Sequence, residues 1–132
     1  LWAGGDQALQ VTARDAGFGV FTAREIDEAC EFVLHRVAGA APTRDGAAHA
    51  LVAHLARHHP DAPALSPVLP LAMAAAALEG MLDGEAARRA AAAIWRDCAL
   101  IANEVLALQA ESPQVPPRLA ALAARLGDGT PD

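Results

Sequence analysis

Apolar positions along this chain recur at three- and four-residue intervals, in blocks bounded by proline and glycine, the pattern of a set of amphipathic helices. The clearest block runs over 22–38. Ile26, Ala29, Cys30, Val33 and Val37 share one face, and Arg24, Glu28, Glu31 and His35 lie opposite. Thr22, with Glu25 three residues on, reads as a capping box, and Phe21 with Ile26 as a hydrophobic staple. Gly39 and Pro42 close the block. A second helix is predicted from about Arg44 to His59, with Ala48, Leu51, Val52 and Leu55 as its stripe and Pro60 as its stop. The loop from Pro60 to Ser66 holds a second proline, Pro63, and is expected to be stiff.

A third helix opens at Ser66-Pro67, read as a cap followed by proline at the first helical position, with Pro70 as the alternative start. It continues through Leu82 and is apolar almost all round. Leu71, Ala74, Ala75, Leu78 and Leu82 line one side, and Leu69, Met73, Ala76 and Ala77 another. Such a helix is either central or covered by a second chain. The fourth and longest helix runs from about Glu85 to Glu111. Its main stripe is Ala87, Ala91, Ile94, Cys98, Ile101, Val105 and Leu108, and Trp95, Ala102 and Leu106 form a second stripe a quarter-turn away. One neighbouring helix cannot cover both. Pro113, Pro116 and Pro117 interrupt the chain, and a short helix starting at Pro116 or Pro117 places Leu119, Leu122 and Leu126 together. Ahead of the first block, Asp6 is placed to cap a short helix over 6–16. Gly17 and Gly19 then open an extended connector whose aromatics, Phe18 and Phe21, dock on the rest.

The expected fold is therefore all-α: an antiparallel helical bundle of four main helices plus short terminal helices, in one domain over 1–132. Within it, 1–21 forms an N-terminal arm, 22–111 the core bundle, and 112–132 a short C-terminal helix and tail. No internal repeat at a period of 20–50 residues is visible.

Composition narrows the function classes. Apolar residues are 54% of the 132 and charged residues 20%, which excludes a disordered chain. The net charge is −6, with no basic stripe to displace counterions from a phosphate backbone, so nucleic acid is not an expected partner. All ten basic residues are arginine and tyrosine is absent, the usage of a GC-rich, bacterial-type genome. No apolar run approaches the roughly 20 residues that cross a bilayer, so no membrane association is expected. Cys30 and Cys98 lie outside any CxxC and on apolar faces. Two buried free thiols in a reducing, cytoplasmic setting is the expectation, and a disulfide between their helices the alternative. A start at Leu1 rather than methionine is compatible with an upstream segment having been removed.

Few residues offer chemistry. His54 and His58 stand four apart, the spacing at which one helix supplies two metal ligands, with Asp61 or another helix to provide a third. The glutamate of an HExxH site is missing and Arg57 stands between them, so a solvated or helix-capping role competes with the metal reading. Glu28, Glu31 and His35 lack the three-residue Glu-to-His spacing of di-iron bundles and read as a solvated face with an i,i+4 pair. Glu79 is the one charge between Val68 and Leu82; it needs an arginine partner (Arg88, Arg89 or Arg96) or an exposed edge. Both serines, Ser66 and Ser112, precede proline, and no Gly-rich loop follows a strand. No catalytic residue and no cofactor is assigned.

The expected function is a non-enzymatic helical interaction or regulatory module, homodimeric or bound to a partner protein through Leu69, Met73, Trp95, Ala102 and Leu106. The alternatives are a bundle that binds a small apolar molecule between its alanine-rich walls near Met73 and Trp95, or a metal at His54 and His58.

Overall fold

A computed structural model describes residues 21–38, 46–80 and 84–128. The predicted helix over 6–16, the connector aromatic Phe18 and Leu82 lie outside the described residues. Among those described there are five helices and no strand: α1 (Ala23–Ala38), α2 (Gly46–His58), α3 (Val68–Glu79), α4 (Gly84–Glu111) and α5 (Leu119–Asp128). The protein is an all-α helical bundle.

The capping box at the start of α1 forms in both directions. The Thr22 amide donates to Glu25 Oε1 at 3.1 Å, and the Glu25 amide donates to Thr22 Oγ1 at 3.1 Å. Phe21 and Ile26 are both buried in the core. α2 begins at Gly46 with φ +63°, a left-handed conformation that glycine adopts without a Cβ penalty. Its predicted stripe of Ala48, Leu51, Val52 and Leu55 is buried throughout.

Two helix starts differ from the sequence reading. Ser66 does not cap α3. Its buried hydroxyl turns back to donate to the Pro63 carbonyl at 2.6 Å, Pro67 occupies the N-cap position, and helical bonding opens with the Leu71 amide on the Pro67 carbonyl at 3.1 Å. Pro70 falls within the first turn, where its missing N–H has no intrahelical partner to lose. At the other end α3 stops at Glu79, with the Gly80 amide shared between the Ala76 and Ala77 carbonyls. α5 begins at Leu119 rather than at Pro116 or Pro117, because the preceding residues are tied to the 60–64 loop. The Ala64 amide donates to the Pro117 carbonyl at 3.0 Å. The first two amides of α5, Leu119 and Ala120, donate to the carbonyls of Ala62 and Pro60 at 2.8 and 3.0 Å. A distant loop thus satisfies donors that a helix start leaves without intrahelical partners.

α3 packs most extensively on α4 and also against α1, while α2 packs on α5 and α1. Val33, Leu51, Leu71, Ile101, Leu119 and Leu122 are the large side chains at the centre, one or more from each helix. On α4 the predicted main stripe faces inward: Ala91, Ile94, Cys98, Ile101 and Val105 are buried and Ala87 and Leu108 partly so. α5 is held to the end of α4 by Arg125, which donates to Glu104 and, at 2.6 Å, to Glu111.

Candidate functional site

Three surface features deserve comparison as sites, and α1 contributes to two of them. The first is a cleft of about 280 Å³ between α1 and the C-terminal turns of α2. Phe21, Glu25, Glu28 and Phe32 come from the α1 side, and His54, His58 and His59 from the α2 side. Aromatic contact organises it. The His54 ring stacks on Phe32, with centroids 4.7 Å apart and planes 20° apart, and meets the edge of His58 at 4.8 Å. His59 lies edge-on to Phe21 at 4.9 Å, and its Nε2 stands 3.3 Å from Glu25 Oε2. The remaining charges close on neighbours: Arg24 pairs with Glu28 at 3.2 Å, and the Arg36 guanidinium lies 5.8 Å over the Phe32 ring.

The predicted pair His54 and His58 is therefore brought together, but with Phe32 packed on one member. Burial, and then the positive neighbours His58, Arg57 and His59, lowers the His54 pKa below the usual histidine value. Asp61, the candidate third ligand, is exposed in the loop, where its carbonyl accepts a bond from Arg118 Nη1 at 2.7 Å. Among the described residues no group of three His, Cys, Asp or Glu side chains is placed to hold a metal ion.

The second feature is a larger cleft of about 760 Å³ where the end of α1 faces α3 and the start of α4. Leu34, Val37, Leu78, Ala86, Ala87 and Ala90 form its apolar walls, with Glu31 and His35 as the polar groups. The alanine wall here belongs to α4 and faces α1, whereas the sequence reading placed such a space between the third and fourth helices near Met73 and Trp95. Glu31 and His35 are exposed and do not form the i,i+4 pair expected of them; the ion pair on this helix is Arg24–Glu28.

The third feature is the outer surface of α3 and α4. Of the predicted interface residues, Met73, Trp95 and Leu106 are exposed (37%, 41% and 67%), while Leu69 and Ala102 are half-buried. Leu100 adds a further exposed apolar side chain on another flank of α4. Glu79 sits at an exposed edge and pairs with no arginine among the described residues. Trp95 Nε1 donates to Glu79 Oε2 at 3.2 Å, whereas Arg88 and Arg89 pair with Glu85 at 3.7 and 3.8 Å.

Both cysteines are free thiols, so the alternative of a disulfide is not realised. Burial, then Asp27 and Glu31, raises the Cys30 pKa; burial, then Asp97, raises that of Cys98. In each case the shift favours the thiol over the thiolate. Asp97, which the sequence did not single out, has its carboxyl pKa raised by burial against the opposing effects of His49 and Arg96. Phe32, Glu25 and Leu34 were equally silent as site residues. Each occupies an ordinary helical position, and only the neighbouring helix gives it a role.

Comparison with protein-family models, curated proteins and solved structures finds no match to this chain. Among the described residues no helix is long and apolar enough to cross a membrane.

Proposed function

We propose that the protein is a non-enzymatic helical interaction module that pairs with a second copy of itself through the outer face of α4. The observation that carries this reading is the exposure of Trp95 and Leu106 on one long helix, together with that of Met73 on α3. Apolar surface of this kind on a small domain is characteristic of an interface. α4 has 28 residues and a length of about 42 Å, enough for an extended helix–helix contact.

The stripe is also self-complementary. Ala92, Trp95, Ala99, Ala102 and Leu106 recur at three- and four-residue spacing. Laid antiparallel on its own copy about Ala99, the helix sets each Leu106 level with Ala92 of the second copy and each Trp95 within one residue, about 1.5 Å, of the level of Ala102. Large side chains then meet small ones, as a two-fold interface requires. The raised pKa values of both cysteines add support for a non-catalytic role, since neither offers a thiolate.

Sedimentation equilibrium at micromolar concentration tests the reading. A dimer is expected, and Leu106→Asp should convert it to a monomer with unchanged helix content by circular dichroism. Leu100→Asp, on a different flank of α4, should leave the dimer intact. A wild-type monomer at these concentrations, or a dimer indifferent to Leu106→Asp, overturns it.

A further inference from the structure

The cleft between α1, α3 and α4 is of the size that holds small organic ligands, for which pockets of about 300–1,000 Å³ are usual, and its walls are mostly apolar. Leu34 and Val37 contribute branched side chains from α1, Leu78 contributes one from α3, and Ala86, Ala87 and Ala90 contribute only methyl groups from α4. That asymmetry is why the space exists: one wall is too short to meet the other. An apolar body fits such a space. Among the described residues, the polar groups of the lining are Glu31 and His35, one helical turn apart on α1.

Among the described residues, the arginines of α1 and of the start of α4 are engaged away from Glu31. On α1, Arg24 is engaged by Glu28 and Arg36 lies over Phe32; on α4, Arg88 and Arg89 are both engaged by Glu85. Glu31 forms no ion pair with any described residue, and the whole chain carries a net charge of −6. An anionic headgroup would meet repulsion here. A second copy of the chain would bring the same Glu31 and the same net charge. A cation meets a free carboxylate at the mouth of an apolar space.

We propose that this cleft binds an amphipathic cation, with an alkyl or fused-ring body lying along Leu34, Leu78 and Ala87 and an ammonium-type head at Glu31. The site is separate from the Trp95–Leu106 stripe, so it can be present or absent whatever the oligomeric state proves to be.

Titration calorimetry of the full chain with three ten-carbon probes, each below its micelle concentration, tests this: decyltrimethylammonium, decyl maltoside and decyl sulfate. The cation should bind with one site per chain and about tenfold more tightly than the sulfate, the combined result of attraction for one head and repulsion of the other. Glu31→Gln should weaken the cation by roughly three- to fivefold, the scale of an exposed charge contact, and leave the maltoside unchanged. Ala87→Trp should abolish binding of all three by filling the space, and Ala86→Trp, at an exposed position of the same wall, gives the same outcome should the first variant fold poorly. Amide exchange over 31–37 and 86–90 should slow with the cation bound. Equal affinity for the sulfate and the cation overturns the proposal, as does binding that survives the tryptophan variants at native helix content.

Discussion

Toward α2, α1 presents Glu25 and Phe32 beneath Phe21 to three histidines, and the space left among them is about 280 Å³. Toward α3 and α4, the same helix presents Leu34 and Val37 to Leu78 and three alanines, and the space is about 760 Å³. The difference is one of side-chain reach. Flat rings of five or six atoms cross a helix–helix gap and meet in stacked and edge-on pairs, each favourable beyond the area it buries. Alanine ends at Cβ, so a helix walled with it covers backbone without closing the gap. One seam is consequently knit by named contacts, and the other is a surface with room in it.

The largest expected effect comes from removing the ring on which the first cleft is organised. Phe32→Ala should destabilise the protein by about 2 kcal/mol, less than for a fully buried phenylalanine because Phe32 is only half-buried. The same change should let the His54 pKa rise toward the usual histidine value, because burial is the leading cause of its depression. Urea unfolding and an NMR titration of the imidazole read the two consequences separately. A smaller effect sharpens the contrast directly, by making one substitution on each side. Ala29 is 6% exposed and lines the histidine cleft, so Ala29→Leu should overpack it and cost about 1–3 kcal/mol. Ala87→Leu extends into open space and should change stability by no more than about 0.5 kcal/mol. Equal costs at the two positions would show that the clefts do not differ in packing.

The smallest effect is electrostatic. In the folded protein His54 resists protonation, while in the unfolded chain it takes up a proton at the ordinary histidine pKa. The unfolded state therefore binds more protons as pH falls through that range. His54 accordingly lowers stability on acidification until the pH drops below its folded value, where the effect levels off. Denaturant midpoints measured at about pH 7.5 and about pH 5.5 should differ less in His54→Gln than in the wild type.

Much of the bundle was legible from spacing alone. The buried stripe of α2 and the inward face of α4 were assigned residue by residue, because a 3.6-residue period fixes which side chains share a face whatever covers them. The capping box at Thr22 and Glu25 was legible for the same reason: its partners are three residues apart. What failed was whatever needed a partner from far along the chain. α5 starts later than its prolines suggest because the distant carbonyls of Pro60 and Ala62 take its first amides; Ser66 is the local exception, its hydroxyl turned to the Pro63 carbonyl three residues back. Of the two readings of Glu79 the exposed edge holds, and its donor there is Trp95, while Arg88 and Arg89 are held by Glu85.

Sequence alone determined that the chain is a set of amphipathic helices, which faces turn inward, and that α3 and α4 carry more apolar surface than one neighbour covers. Those properties follow from local periodicity and side-chain chemistry. Tertiary structure decided where the surplus lies and where the clefts open. It set Phe32 against His54 and placed Glu31, with no ion-pair partner among the described residues, at the edge of an alanine-walled space. Each depends on how far a side chain reaches across a gap whose width is set by packing between helices, and that width is written in no single segment of the chain.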